Sequence, residues 1–193
     1  MKHALAGAVL GLSLAATGQA HAGEAFKIDP SHVHVAFEIS HLGLSTTIGQ
    51  FGGIAGTMTL DEDEPANSAV DVTIEAASVD TNWEARDEHL RSPDFFNVAQ
   101  FPTITFKSTK VEQTGDNSAK IHGDLTLLGV TKAVVLDAQL NRIGPHPLRP
   151  EQRVAGFSAT TAIKRSDFGM NAYVPAVGDD VTIQIEVEAS PAS

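Results

Sequence analysis

Apolar and polar residues alternate along most of the chain beyond residue 23. A repeat of two is the side-chain repeat of a β-strand, and antiparallel strands with one face in the core show it most clearly. The alternation runs through seven segments: 33–39, 70–74, 104–106, 121–127, 134–140, 155–163 and 181–187. Turn-forming stretches such as "DEDEPANS", "TGDNS" and "GPHPLRP" separate these segments, which predicts a chain of antiparallel strands.

Amphipathic strands in this number favour a sandwich or a closed barrel. About eight strands close into a barrel whose interior holds packed side chains or one small ligand. We therefore predict an all-β, antiparallel, lipocalin-like β-barrel of about eight strands. The glycine cluster "IGQFGGIAG" is followed by neither a Lys-Ser/Thr pair nor a helix, so it indicates strand bulges and bends and not a phosphate loop.

The segment "TNWEARDEHLRSPDFF", residues 81–96, interrupts the alternation. "TNWE" has the pattern of a capping box, in which Thr81 would cap a helix and Glu84 would reach back to its N–H. Pro93 disfavours helix at the residue before it, so the helix should end near Arg91. The sequence thus predicts one short helix inserted near residues 82–91, which could close one end of the barrel or flank an opening there.

The first residues have the features of a secretory signal peptide. Lys2 and His3 precede an apolar run over 4–16, and "AHA" at 20–22 is a small-x-small cleavage site. A spanning helix takes about 20 residues, so the alternative of an N-terminal anchor helix fits the short run less well. We predict a cleaved signal peptide over 1–22, a single domain over 23–193, and a periplasmic or secreted location.

Composition narrows the classes of partner. The formal net charge is −11, which disfavours nucleic acid and anionic lipid surfaces as partners. The chain contains no Cys, so it has neither disulfides nor a thiol for lipid attachment. We expect a soluble exported protein without stable membrane insertion, and a homodimer is left open.

Phe dominates the aromatic residues, with nine Phe against one Tyr and one Trp. Phe has no polar group that needs a hydrogen-bond partner. The phenylalanines could fill a dry core, or they could line a cavity for a wholly apolar guest. Taken alone, the pattern favours the dry core, because most apolar faces serve packing.

Six motifs follow one another along the chain: "IDPSHVHVAFEISH" (28–41), "GQF" (49–51), "SVDTNWEARDEHLRSPDFFNVAQFP" (78–102), "GDLTLLGVTKAV" (123–134), "RSDFGM" (165–170) and "VGDDV" (177–181). In this order and spacing the chain resembles the YceI-like family of exported, lipocalin-like lipid-binding proteins. The resemblance covers essentially all of the predicted mature chain. Phe26, Val33 and Ala133 stand where that family usually has Trp, Ser and Pro, which affects only local packing.

The resemblance implies a barrel with an elongated apolar tunnel, and it shifts the interpretation from a dry core to an occupied one. It implies isoprenoid guests such as quinone tails or polyprenyl chains, or other long-chain amphiphilic lipids, with no other cofactor and no catalytic residues. The residues assigned to the tunnel are Phe37, Ile39, Phe51, Leu90, Phe95, Phe96, Phe106, Phe157 and Phe168.

A polar head group is placed, as a hypothesis, at one end of this tunnel. The residues assigned to that end are His41, Arg86, Asp87, His89, Arg165 and Asp167. As an alternative, Arg86 forms a structural ion pair with Asp87 or Asp167 and has no part in binding.

Other classes of function stay open at this point. His32, His34 and Glu38 share one strand face and could hold a metal ion, although that polar face should lie outside the barrel. The chain lacks a G-x-S-x-G elbow and a Cys nucleophile, so we expect no enzyme. A non-catalytic interaction or stress-protective protein with a packed core is the remaining alternative.

Overall fold

The structure, a computed structural model, describes residues 23–192. The described strands are β1 Glu24–His41, β2 Ser45–Phe51, β3 Ile54–Leu60, β4 Ala69–Glu75, β5 Val79–Asp80, β6 Thr103–Gln113, β7 Ser118–Leu127, β8 Val130–His146, β9 Arg149–Lys164 and β10 Val177–Pro191. One α-helix, α1, spans Glu84–Arg91, and short 3₁₀ helices span Pro65–Asn67, Ala76–Ser78 and Arg165–Phe168. Within this range no helix is long and apolar enough to cross a membrane. The predicted signal peptide lies outside the described residues.

Eight of these strands close into an antiparallel barrel, which confirms the predicted fold. The order around the barrel is β10, β9, β8, β7, β6, β4, β3 and β1, and β1 pairs with β10 to close it. The long strand β1 changes partner along its length. Its first residues pair with β3, and residues 35–41 pair with β2, which in turn pairs with the two-residue β5.

All seven segments that alternate in the sequence lie in strands, and the eighth barrel strand is β3. β2 and β3 carry the glycine cluster and therefore lack a full alternation. Gly49 shows why a glycine is needed, because a Cβ there would lie 2.3 Å from Cζ of Phe37 on the neighbouring strand. The missing side chain leaves room for the Phe37 ring against the barrel wall.

The two ends of the barrel differ in structure. At the end that we call the helix end, β1 finishes at His41, β10 starts at Val177, and α1 lies beside them. At the hairpin end lie the β3–β4 loop over 61–68 and the β6–β7 turn over 114–117.

The predicted helix is confirmed, but the predicted capping box is wrong. Helix α1 ends at Arg91, with Ser92 as its C-terminal cap, and Trp83 occupies the N-cap position without a side-chain hydrogen bond. The hydroxyl of Thr81 donates instead to the buried carboxylate of Asp87 at 2.5 Å. A capping threonine accepts a backbone N–H at the helix terminus, whereas this hydroxyl accepts from Nε of Arg86 and donates to Asp87, so it does not cap α1.

Candidate ligand-binding cavity

The inward faces of the strands enclose a cavity of about 850 Å³ and do not meet in a filled core. Small-molecule sites commonly measure about 300–1,000 Å³, so the volume of this cavity lies in the upper part of that range. Its lining runs from His41 and Tyr173 at the helix end to Asp116 and Asn117 at the hairpin end. Between the ends, Val, Ile, Leu, Phe and Ala of the strands form almost all of the wall.

Most of the residues assigned to the tunnel lie at this wall. The lining includes Phe37, Ile39, Phe51, Leu90, Phe95, Phe96, Phe106 and Phe157. Phe168 is outside it, because its 3₁₀ helix buries the ring in the core with 2% of its surface exposed. Near the helix end, Phe51 contacts both Phe37 and Phe96, with ring centroids 5.8 and 5.5 Å apart.

The residues assigned to the head group divide into two sets. His41, Arg86, His89 and Arg165 line the cavity at the helix end. The two carboxylates do not: Asp87 is buried behind the wall and Asp167 is exposed outside it. Cationic and imidazole groups therefore supply the polar surface at this end.

Arg86 is held in place by Thr81. Its Nε donates to the hydroxyl of Thr81 and its Nη2 to the carbonyl of Thr81, both at 2.6 Å. The alternative of an ion pair with Asp87 or Asp167 is wrong, since the salt bridges among residues 23–192 do not include Arg86. A guanidinium has five N–H groups, and the described residues engage two of them. The others can donate to a guest.

Arg165 has a different environment, because the protein itself engages most of its donors. It is 3% exposed and donates to the carbonyls of four residues at 2.7–3.0 Å. The carbonyls belong to Met170, Ala172, Val177 and Gly178. Burial lowers the pKa of Arg165, and the nearby charge of Asp179 opposes that change. Arg165 therefore organises the segment that carries Tyr173 along the cavity mouth.

His89 lies among aromatic rings at the helix end. Its ring meets Phe95 edge-on at 5.0 Å and Tyr173 at 6.1 Å, while Nε2 lies 3.5 Å from a carboxylate oxygen of Asp94. Sequence reasoning missed Tyr173 and Leu42, which both line the cavity. The available signal was that Tyr173 is the single Tyr of the chain and lies in a segment without strand alternation.

The cavity lining is also polar at the hairpin end, to which the sequence analysis assigned no residues. The lining there includes Asp61, Glu62, Gln113, Asp116 and Asn117. Asp61 accepts the N–H of Glu64 at 2.8 Å and shapes the β3–β4 loop. Arg153 pairs with Glu24 at 2.9 Å and also with Glu62, which ties this loop to strands β1 and β9. A guest in the cavity would thus find polar groups at both ends and an apolar wall between them.

The His-rich face of β1 is not built as a metal site. His32 lies 2.9 Å from Asp29 through its Nδ1 and is exposed on the outer wall. In the part of the chain that the structure describes, no group of three or more His, Cys, Asp or Glu is placed to share an ion.

An eight-stranded antiparallel barrel around an apolar cavity defines the class of small lipocalin-like barrels. The YceI-like domain family matches residues 26–189, and the chain belongs to this family. Protein YceI of Salmonella arizonae is 45% identical over 190 residues, which cover 97% of each chain.

Two solved structures are similar to the barrel. A crystal structure of the YceI protein of Campylobacter jejuni has a TM-score of 0.72 and 34% identity, and the match covers 80% of this chain and 91% of that one. A polyisoprenoid binding domain from Saccharophagus degradans has a TM-score of 0.68 and covers 88% of this chain and 99% of its own. At 14% identity, this second likeness concerns the fold alone.

Proposed function

We propose that this protein is an exported, non-catalytic carrier that binds an isoprenoid-type lipid in the barrel cavity. The observation that carries the proposal is the distribution of chemistry along the cavity, with an apolar wall along the barrel and polar groups at the two ends. A long hydrocarbon with one polar head would place the head at one polar end and its tail along the apolar wall. Export rests on the apolar run over 4–16 and the "AHA" site.

Burial of the tail would supply the binding free energy. Each buried methylene contributes about 0.8 kcal/mol, so a chain of several five-carbon units has a large gross gain. Ordering a flexible tail offsets part of that gain. Such a cavity selects its guest mainly by length and cross-section, and the fold neighbour from Saccharophagus, described as polyisoprenoid-binding, supports isoprenoid tails as the class.

The head group would lie at the helix end. Arg86 has N–H groups that no described residue engages, and His41 lines the same end. These groups suit a head that accepts hydrogen bonds, such as a quinone carbonyl or a phosphate. The tail would then extend toward Asn117 at the hairpin end.

The direct test is to purify the mature protein without detergent from its exported compartment, extract it with organic solvent and analyse the extract by mass spectrometry. We expect a long-chain lipid in near-stoichiometric amount. A clean extract, together with no uptake of added quinones or polyprenols, would overturn the proposal and favour an interaction protein.

A matched pair of variants tests whether the guest lies inside the barrel. Ala159 and Ala162 are on the same strand, with Ala159 at the cavity wall and Ala162 exposed on the outer face. Ala159→Phe should fill the middle of the cavity and abolish lipid content, whereas Ala162→Phe should leave it unchanged. Equal lipid content in both variants would contradict a guest in the cavity.

A further inference from the structure

Exposed apolar side chains are concentrated at one end of the barrel. Among residues 23–192, eight large apolar residues are prominently exposed, and five of them lie in the β1–β2 turn, at the start of α1 and in the loop before β10, all at the helix end. We call these five the apolar rim: Leu42, Leu44, Trp83, Tyr173 and Val174. Exposed apolar side chains gathered at one end of a protein commonly mark a surface that meets a partner.

The apolar rim is continuous with the cavity. Leu42 and Tyr173 line the cavity and are also exposed to solvent, so the same side chains belong to both surfaces. The backbone N–H of Leu42 donates to the carbonyl of Ala176 at 2.8 Å, which joins the two loops that carry them. A molecule that reaches the cavity from this end passes over the rim.

The backbone at the rim is held in an unfavourable conformation. Leu42 has φ +57° and Tyr173 has φ +60°, in the left-handed region that residues with a Cβ seldom adopt. Leu42 adopts this conformation in the tight β1–β2 turn, where the N–H of Leu44 donates to the carbonyl of His41 at 2.9 Å, and its side chain is exposed there. Strain of this kind is concentrated at sites that contact ligands or partners.

We propose that the apolar rim docks on the interface of a zwitterionic lipid bilayer, from which the cavity takes up or releases its lipid. The inference rests on the proposed function, because an isoprenoid tail is stored in bilayers and not in water. Trp83 and Tyr173 combine an apolar ring with a polar group, which is the chemistry enriched at membrane interfaces. A rim-to-rim contact with a second copy would close both mouths and block exchange.

The net charge of the chain selects the type of bilayer. Glu88 of α1 is exposed, Glu84 pairs with Arg91 at 3.0 Å, and the chain as a whole has a formal net charge of −11. Anionic head groups would repel this net negative charge, so the rim suits phosphatidylcholine-like surfaces and a reversible contact.

Trp83 is the only Trp in the chain and is 62% exposed, so its fluorescence reports on the rim without any label. Phosphatidylcholine vesicles should shift its emission to the blue, and phosphatidylcholine brominated near the head group should quench it. No spectral change with vesicles would overturn the proposal. A blue shift that grows with protein concentration in the absence of vesicles would also overturn it, in favour of a second copy at the rim.

Two exposed leucines at opposite ends provide a matched comparison. Leu44 in the rim is 82% exposed, and Leu148 in the β8–β9 turn at the hairpin end is 86% exposed. Leu44→Asp should weaken vesicle partitioning about tenfold or more, because a carboxylate is strongly disfavoured in the apolar part of a bilayer. Leu148→Asp adds the same charge and should retain wild-type partitioning. Equal losses in the two variants would overturn the proposal.

The lipid content of the purified protein separates this proposal from the proposed function. Lipid in the extract with no response of Trp83 to vesicles leaves the carrier function intact and overturns the docking rim. A Trp83 response with no lipid in the extract and no uptake supports the rim and overturns the carrier function.

Discussion

Thr81 donates two hydrogen bonds to a single oxygen of Asp87. The backbone N–H lies 2.9 Å and the hydroxyl 2.5 Å from Oδ1, and both residues are buried. The same hydroxyl accepts from Nε of Arg86 at 2.6 Å. The Asp87 carboxylate, buried behind the cavity wall, thus positions Thr81, and Thr81 in turn positions Arg86 at the wall.

Loss of the Asp87 carboxylate should destabilise the fold. Asp87→Ala leaves the buried N–H of Thr81 without its acceptor, and an unsatisfied buried donor costs about 1–3 kcal/mol. We expect a loss of that size in the free energy of unfolding, measured with urea. Asp167→Ala is the control, because Asp167 is exposed, and it should change stability by less than about 0.5 kcal/mol. Similar losses in the two variants would refute a structural role for Asp87.

Arg86 should matter for lipids with a polar head and not for bare hydrocarbons. Losing a hydrogen bond from a charged group costs about 1.5–3 kcal/mol, so Arg86→Ala should weaken binding of a quinone-headed isoprenoid at least about tenfold. A headless isoprenoid hydrocarbon of the same length should bind the variant and the wild type alike. The measurement is titration of each ligand into detergent-free wild-type and Arg86→Ala protein, which gives the two affinities to be compared.

Lys164→Ala controls for the loss of a positive charge near the helix end, because Lys164 is exposed and pairs with Asp180 at 2.7 Å. It should leave both affinities unchanged. If Arg86→Ala weakened the two ligands equally, the effect would come from the barrel and the head-group assignment would be wrong.

Arg165→Lys should destabilise the protein although it preserves the charge. The planar guanidinium reaches four carbonyls at once, and an ammonium is a compact group with three donors on a single nitrogen. Two or more buried carbonyls would lose a partner, so we expect a loss of about 2–4 kcal/mol in thermal or urea unfolding. Lys164→Arg, the reverse exchange at the neighbouring exposed position, should stay within about 0.5 kcal/mol of wild type.

Asp29 and His32 should titrate away from their ordinary values. Hydrogen bonds, first from the Ser31 hydroxyl and then from His32, lower the pKa of Asp29 to about 2. The hydrogen bond to Asp29 raises the pKa of His32 above 6.5. NMR titration should show both shifts, and Ser31→Ala should move the pKa of Asp29 back toward 3.8.

The two shifts give opposite dependences of stability on pH. Because its pKa is lowered, Asp29 contributes stability that is fully present above pH 3.8 and is lost as the pH falls through about 2. Because its pKa is raised, His32 contributes stability that is present below pH 6.5 and is lost as the pH rises through the raised value. Asp29→Asn should remove the dependence due to Asp29 and reduce the one due to His32, whose pKa the charge of Glu188 also raises. An unchanged pH profile in that variant would contradict the pairing.

The strands could be predicted because their signal is local. Period-two alternation, as in "VTIQIEV" at 181–187, depends only on neighbouring residues and on which face meets the core. β2 and β3 lack this signal, since the Phe37 ring requires Gly49 in β2 and the carbonyl of Asp71 leaves no room for a Cβ at Gly56 in β3. The position of α1 was also predictable, because the charged run and Pro93 set its limits locally.

The partners of the polar side chains depended on the closed barrel. Thr81 had a helix-capping pattern, yet the packing that buries Asp87 redirected its hydroxyl. Arg165 lines the cavity as assigned, and most of its donors are engaged by carbonyls of the following loop and of β10, up to 13 residues away. These contacts could not be predicted locally, because a buried donor takes whichever acceptor the tertiary fold brings near.

Local alternation and family motifs were thus sufficient for the class of fold, the inserted helix and an apolar interior. Whether that interior was filled or hollow was settled by the closure of β1 on β10, which sets the radius within which the side chains pack. The same closure brought together groups such as Arg153 and Glu24, 129 residues apart, and gave each end its own polar residues. The sequence determines the volume and charge of each side chain, but the distances between side chains follow from the register of the whole sheet.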